Sequence, residues 1–324
     1  MNIAVWNFHE VLHEDNLMFS SNNELNRGED SLKPFYYLYK NLHKLNHKVD
    51  FIFNFSNIEE IDIFVFINYP DDNNDIVKKA LQTNKIKILY MYECEAIHPN
   101  NYKYLNKFNF CFTWDDSLVD NSKFFKINCP SYNDYHLNQK NNYHFNDKKL
   151  LTFVLSKKFV INKYELYSLR ENILDFYERN ISYEFDFYGF GWNKVNLKNR
   201  YLNKLINSNN FLREFFNKKY KNYKGNISGR KEKIIQKYKF CFCIENAKSY
   251  NGYITEKIFH CFFAGSIPIY SGCNNISEHI PSNCFIDFNK FENLNALHNF
   301  IKNMDEKKYY EYIENIQNFL RSRK

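Results

Sequence analysis

One stretch of the chain, residues 239–272, constrains the fold more than any other because two apolar runs flank a polar loop and a helix pattern. The run 240–244 is short and apolar enough for a buried strand, and 267–269 begins a second strand. Between them, the phenylalanines of 259–263 give a helix an apolar face, and Gly265 ends that helix. A strand–helix–strand unit favours a parallel sheet, whose ligands bind beyond the carboxyl ends of strands and beside helix N-termini.

The same alternation extends along the whole chain. Further strands are predicted at 3–6, 49–53, 61–67, 86–90, 108–113, 151–155, 183–188 and 284–287, and helices at 31–45, 75–83, 163–177, 291–303 and 306–320. This pattern predicts an α/β protein with parallel sheets. The polar stretch 133–149 separates two series of elements, so we predict one Rossmann-like domain over 1–149 and a second over 150–324. We expect the last helix to pack back on the first domain.

Charge and cysteine usage narrow the function classes. The net charge of the chain is +7, and its basic residues are mostly interspersed with acidic ones. This distribution argues against a nucleic-acid partner. The exception is the segment 213–239, which contains ten Lys and Arg residues and only two acidic residues, Glu214 and Glu232. That segment is either a solvated helix face or a positive field for a diphosphate or an anionic membrane surface.

The 8 cysteines form no CxxC or zinc-ligand spacing, which indicates reduced thiols and a cytoplasmic protein. The N-terminus reads as a strand rather than a signal peptide, and no apolar stretch is long enough to span a membrane. We therefore expect a cytoplasmic protein, with peripheral contact to the inner face of the membrane as one use of its basic segment. We expect no metal, either at Asp71-Asp72 or at Asp115-Asp116, and interpret Asp71-Asp72 as turn or capping residues.

Three residues at the start of the helix after the polar loop are candidates for binding. Thr255 suits the N-cap, and Glu256 suits the helix dipole, but Lys257 opposes that dipole. A diphosphate at the helix start would explain the lysine, while a surface Glu–Lys pair is the alternative. Arg170 has no carboxylate three or four residues away on its own helix, so it is either a phosphate ligand near the domain surface or a solvated arginine.

Glu93 and Glu95 follow a predicted strand and are candidates for a general base. Alternate residues of an extended segment point the same way, so the two carboxylates would lie close together and one pKa would rise. The alternative is a solvated acidic loop.

Several separated blocks together resemble glycosyltransferase family 10, the α-1,3/4-fucosyltransferases. The family's donor-loop signature corresponds here to IEN at 244–246, YITEK at 253–257 and AGSIPIYSG at 264–272. Upstream, FVLSKKFVINKYELYSLR, FDFYGFGW and YKGNISGRKEKIIQKYKF are similar to the family in order and spacing. The resemblance covers about residues 85–285. It departs from the family at Cys243, Ile244 and Ala247, and the loop 245–253 is one residue longer.

The resemblance implies a GT-B fold, with two Rossmann-like domains facing each other across a cleft, and an inverting transfer that needs no metal or other cofactor. It implies that Glu93 is the general base, with Glu95 as the second choice. The residues that it assigns to the GDP-fucose donor are Arg170, Lys257, Glu256, Tyr253, Asn246, Glu245, Thr255, Ser156 and Arg230.

The expected function is therefore transfer of fucose from GDP-fucose to a hydroxyl of a glycan or lipid-linked glycan, in surface polysaccharide or lipopolysaccharide synthesis. Two alternatives stay open. One is the same fold with another GDP-linked deoxy, amino or heptose sugar, and the other is a non-catalytic protein that binds a sugar nucleotide or a glycan.

Overall fold

A computed structural model describes residues 1–7, 10–20, 32–70, 74–129, 143–195 and 199–322. The chain divides into two compact units, Met1–Tyr132 with Tyr250–Thr255, and Asn133–Ser249 with Glu256–Lys324. The predicted boundary between 149 and 150 differs from this division, since 143–149 belong to the second unit and 250–255 to the first. Asp71, Asp72 and part of the predicted connection lie outside the described residues.

The strands of the described residues, in chain order, are β1 Asn2–Asn7, β2 Lys48–Phe51, β3 Ile63–Ile67, β4 Ile86–Met91, β5 Phe110–Thr113, β6 Phe124–Lys126, β7 Lys149–Val154, β8 Phe185–Tyr188, β9 Tyr238–Ile244, β10 Ile267–Ser271 and β11 Ile286–Asp287. The α-helices are α1 Lys33–Lys44, α2 Asp75–Gln82, α3 Asn100–Lys103, α4 Tyr167–Asn180, α5 Arg200–Ser208, α6 Asn210–Phe216, α7 Glu232–Ile235, α8 Glu256–Phe263, α9 Ile276–His279, α10 Leu294–Lys302 and α11 Glu306–Ser322.

The first unit is built on a parallel sheet whose described strands run in the order β2-β1-β3-β4-β5-β6. Its strands are apolar on both faces, as expected for a parallel sheet covered on both sides. In β1, Ala4 and Trp6 join one buried cluster, while Ile3 and Val5 join another on the opposite face. The period of two along the strand therefore divides one apolar run between two cores.

The second unit has a parallel sheet in the order β11-β10-β9-β7-β8. The central strand β9 is buried at all but one of its residues. The predicted parallel α/β architecture is thus present in both units. The sequence reading missed β6, α5 and α6, and it began the helix of Arg170 too early, at 163 instead of Tyr167.

The last helix, α11, belongs to the second unit. The Tyr309 hydroxyl donates to Gly265 O at 3.0 Å, and Phe319 packs on Phe262. The apolar face of α11 includes Ile313 and Ile316, which are buried. None of the described helices combines the length and the apolar character needed to cross a bilayer.

Candidate functional site

The site in the second unit is centred on a carboxylate at the carboxyl end of β9. Glu245 leaves the strand with its backbone N–H donating to Ser271 O at 2.9 Å, and its side chain is fully buried. Gly272, just past β10, makes room for that side chain, because a Cβ there would lie 2.5 Å from Glu245 Cγ. The buried Glu245 side chain thus requires a residue without a Cβ at position 272.

The loop after β9 also fixes the start of α4. Lys248 N donates to Tyr164 O at 2.8 Å, and Leu166 N donates to Asn246 O at 3.0 Å. This short antiparallel contact aligns the segment before α4 with the motif loop. It brings the first turn of α4, which carries Arg170, to the carboxyl end of β9.

Arg170 is buried, with 5% of its surface exposed, and this corrects the expectation of a guanidinium near the domain surface. One of its terminal nitrogens donates to Ile244 O at 2.7 Å and to Asn246 Oδ1 at 3.0 Å, and its guanidinium lies 4.6 Å from the centre of the Tyr167 ring. These contacts replace the hydration that a buried cation loses. Arg170 therefore holds the motif loop in place and adds positive charge beneath it.

Lys257 has a protein partner that explains its position against the helix dipole. Its Nζ lies 3.2 Å from Glu245 Oε2 and 3.8 Å from Glu256 Oε1. Burial lowers the pKa of Lys257, but the two carboxylates raise it more, so the net shift is upward and the ammonium stays charged. The charge of Arg170 acts in the opposite direction on the same pKa, which indicates that the two cations share one neighbourhood.

Glu256 and α7 complete this polar cluster. Burial raises the pKa of Glu256, but the charges of Lys257, Lys231 and His260 outweigh it and lower that pKa to about 2. His260 Nδ1 lies 2.8 Å from Glu232 Oε1 on α7. Glu256 is therefore an ionised acceptor at the start of α8. Sequence reasoning missed Lys231, although its place in a basic run was a usable signal.

Other predicted donor residues have different settings. Arg230 is half-buried just before α7 and helps to lower the pKa of Glu232, whereas Ser156 is exposed, two residues beyond β7. Asn246 is half-buried and accepts from Arg170. Within the described residues, the structure thus gathers Arg170, Glu245, Asn246, Glu256 and Lys257.

Tyr253 and Thr255 belong to the segment that joins the first unit. Tyr253 is 1% exposed, its ring centre lies 4.6 Å from that of Trp114, and its hydroxyl hydrogen-bonds to the Cys94 thiol. The Tyr253 ring is thus used in packing, and its role in the donor pocket stays a prediction. Thr255 is buried and directly precedes α8, as an N-cap residue would.

The candidate base loop follows β4 in the first unit. Asn68, in the left-handed region at φ 56°, accepts from Tyr92 N at 2.8 Å and from Glu93 N at 3.0 Å. Asn101 Nδ2 donates to Asn68 Oδ1 at 2.8 Å and to Glu93 O at 3.1 Å. The backbone at Glu93 is therefore held by two asparagines, which sequence reasoning missed. Asn68 is 25 positions away in the chain and Asn101 is 8 positions away.

Glu93 and Glu95 do not lie on one extended segment, as the sequence analysis expects. Backbone N–H groups of Ile97 and His98 donate to Cys94 O at 2.9 and 2.8 Å, so the chain turns at Glu95 instead of continuing as a strand. Glu93 is half-buried and Glu95 is exposed. The alternation argument for two adjacent carboxylates is wrong, and of the two acids only Glu93 has a partly enclosed setting.

The acidic pair Asp115-Asp116 makes partners within the protein. Asp115 accepts from Tyr102 and Ser117, while Asp116 pairs with Lys126. Over the residues that are described, no group of three or more His, Cys, Asp or Glu side chains is arranged to hold a metal ion.

A cavity of about 370 Å³ lies elsewhere in the second unit. Its walls combine aromatic and basic side chains, and none of them was among the predicted site residues. The lining is Trp192, Asn193, Arg213, Glu214, Asn217, Lys218, Lys219, Tyr220 and Tyr223.

Comparison with known proteins identifies the C-terminal part of the chain. A family-level sequence model described as glycosyltransferase family 10 (fucosyltransferase) C-term matches residues 191–320. Residues 191–320 are therefore similar to the C-terminal domain of that family. An α-(1,4)-fucosyltransferase of Arabidopsis thaliana is 38% identical over 77 residues, and the α-(1,3)-fucosyltransferase FucT of Helicobacter pylori is 35% identical over 72 residues. These segments are 23% and 22% of this chain, and span only 19% and 15% of the two relatives.

Solved structures extend the likeness to the whole fold. A crystal structure of an α1,3-fucosyltransferase matches 99% of this chain and 89% of its own, with a TM-score of 0.56 and 15% identity. Anabaena HepE in complex with UDP matches 100% of this chain and 95% of its own, with a TM-score of 0.53 and 11% identity. The predicted GT-B fold class, with two Rossmann-like units, is confirmed.

Proposed function

We propose that this family 10 domain protein is an inverting glycosyltransferase that moves fucose from GDP-fucose to a hydroxyl of a glycan acceptor. The observation that carries the proposal is the convergence of Arg170 and Lys257, from two separate helices, on the carboxyl end of β9. Ligands of open parallel sheets bind at such strand ends, and a diphosphate suits a helix start that carries a fixed cation. The matched relatives are fucosyltransferases, which supports fucose as the sugar.

The cluster in the second unit would supply most of the donor chemistry. Lys257, kept charged by Glu245, would neutralise the negative charge that grows on the departing diphosphate. Glu256, ionised at neutral pH, would accept hydrogen bonds from the ribose hydroxyls. Arg170 would act indirectly, by holding Asn246 in place and by adding positive charge near Lys257.

Glu93 is the proposed general base, and Glu95 the second choice. A half-buried carboxylate held by backbone contacts is better oriented than an exposed one, and a positioned base contributes about 10²- to 10⁴-fold to the rate. The base would take the proton of the acceptor hydroxyl as its oxygen attacks the anomeric carbon. The bond from that carbon to GDP then breaks, and GDP leaves with the electron pair.

Another GDP-linked deoxy, amino or heptose sugar is the second candidate donor. Besides the longer loop 245–253, the departures from the family are substitutions at Cys243, Ile244 and Ala247, and these three residues are all buried. Since side chains in such positions act through packing rather than by direct contact with a sugar, they give little support to a changed donor. Fucose remains the first choice.

The test is a transfer assay with purified protein, a panel of GDP-sugars and glycan acceptors, run with and without a metal chelator. We expect GDP-fucose to be the best donor and the chelator to have no effect. GDP binding without transfer or hydrolysis for every sugar would favour the non-catalytic alternative. Preference for another GDP-sugar would retain the site and change the donor.

The remaining parts of the proposal concern the setting. We propose a glycan or lipid-linked glycan as the acceptor, within surface polysaccharide or lipopolysaccharide synthesis, and a cytoplasmic location with peripheral contact to the inner membrane face. The basic residues of 213–239, many of them exposed, support the membrane contact.

A further inference from the structure

Two neighbouring helices of the second unit expose large apolar side chains to solvent. Tyr201 is 87% exposed on α5, and Phe211 and Phe215 are 76% and 74% exposed on α6. Leu205 and Phe216 are also exposed. Phe211 and Phe215 stack with ring centres 6.5 Å apart, so they form one surface. We call the exposed apolar side chains of these helices the α5–α6 face: Tyr201, Leu202, Leu205, Phe211, Phe215 and Phe216.

Positive charge accompanies this face. Between 199 and 224 the sequence contains one acid, Glu214. Lys204, Lys219 and Lys221 are exposed and make no ion pair with any residue that the structure describes. The cavity beside α6 is also lined by cations, with Arg213, Lys218 and Lys219 facing one glutamate.

We propose that the α5–α6 face docks on the surface of an anionic lipid bilayer, with its aromatic rings at the headgroup level and its lysines on the lipid phosphates. Helices that lie in the membrane interface combine exposed Phe, Tyr or Leu with Lys and Arg, and lysines near an anionic surface add attraction. It assigns the membrane contact proposed for the basic segment 213–239 to the α5–α6 face. It does not depend on the identity of the donor sugar.

The positive charge near the α5–α6 face favours an anionic bilayer over a second copy of the chain as the binding partner. A symmetric dimer through the α5–α6 face would bring the same unpaired lysines of both copies together, and like charges across an interface are unfavourable. An anionic bilayer offers both an apolar layer and the opposite charge. A single-stranded nucleic acid would use the same residue types, and it is therefore one of the outcomes of the test.

The experiment is sedimentation of the purified protein with vesicles of phosphatidylcholine alone or mixed with phosphatidylglycerol, without donor or acceptor. We expect binding to the mixed vesicles only. Phe211→Ser and Phe215→Ser should together weaken it by about tenfold or more. Tyr183→Ser is the matched control, because Tyr183 is 80% exposed on a different part of the same unit.

A second pair of variants tests the charge. Lys219→Glu with Lys221→Glu should weaken vesicle binding by about tenfold or more, whereas Lys233→Glu with Lys237→Glu, two exposed lysines of the same basic segment outside the face, should change it little. All these side chains are exposed, so thermal unfolding should stay unchanged, and the charge variants keep the test valid if a Phe variant unfolds.

Several results would overturn the inference: no vesicle binding by the wild type, equal binding of the two charge-reversal pairs, a wild-type dimer that Phe211→Ser dissociates in light scattering, or tighter retention on single-stranded DNA than on vesicles. Absence of vesicle binding would also remove the proposed peripheral contact with the membrane. None of these results bears on the proposed transfer reaction, which is measured as fucose transfer to a soluble acceptor. A protein that binds vesicles but transfers no sugar would remove only the enzymatic proposal.

Discussion

The fully buried Glu245 carboxylate makes Lys257 a counter-ion for the fold as well as a candidate donor ligand. Lys257→Ala should therefore lower the free energy of unfolding, by up to about 3 kcal/mol, because it leaves a buried charge unpaired. Lys257 is 26% exposed, and solvent screening reduces that figure. The same variant should lose GDP binding. Chemical denaturation and calorimetric titration with GDP measure the two effects.

A double variant separates these roles. Lys257→Ala with Glu245→Gln removes both charges, so it should recover part of the stability but none of the GDP affinity. Lys248→Ala is the matched control, since Lys248 is an exposed lysine of the same loop. If the double variant bound GDP like the wild type, Lys257 would not be a donor ligand.

Glu256 gives a prediction for acid conditions. Its pKa is lowered from 4.5 to about 2 in the folded protein, because neighbouring cations outweigh the effect of burial. Ionised Glu256 therefore stabilises the fold above pH 4.5, and this contribution is lost as the pH falls towards 2. The side chain is 40% exposed, so screening reduces its size. Urea unfolding should show a wild-type advantage over Glu256→Gln that shrinks in this range. A difference that stays constant with pH would contradict the assignment.

At the scale of elements, the segment 250–255 depends on a close backbone approach. Gly252 has φ 79°, and a Cβ there would lie 2.2 Å from Trp114 O. Gly229 has nearly the same φ, 82°, with nothing within 4 Å of its Cβ position. Gly229→Ala should cost about 1 kcal/mol from the backbone alone, whereas Gly252→Ala should cost about 2–4 kcal/mol. Equal costs in denaturant unfolding would show that the segment can move away from Trp114 freely.

The elements also show what the sequence could reveal. The strands and α8 were predictable because buried parallel strands are short apolar runs and because Gly265 ends the helix between two of them. α5 and α6 were missed since their apolar residues are exposed and interrupted by asparagines. The partners of Arg170 could not be predicted from the sequence, because Ile244 and Asn246 lie 74 and 76 residues from it. The sequence motifs indicated which residues could form the site. The burial of those residues depends on tertiary contacts, and only the structure shows it.

At the scale of the molecule, we propose that the donor binds to the second unit. Residues 191–320 match the family, and the polar cluster around Glu245 lies in that unit. A ligand at 100 times its dissociation constant stabilises its binding state by about 2.7 kcal/mol. Saturating GDP should therefore slow amide hydrogen exchange most at the carboxyl end of β9 and in α8.

The first unit provides the internal comparison for that experiment. Its own buried clusters hold β1, β3 and β4, so amide exchange in those strands should change little when GDP binds. Arg170→Lys should reduce the GDP-dependent protection, because an ammonium is more strongly hydrated than a guanidinium and is therefore a poorer buried donor to Ile244 O and Asn246 Oδ1. Protection that appeared in β1–β4 and was absent from α8 would place the nucleotide in the first unit and contradict the proposed donor site.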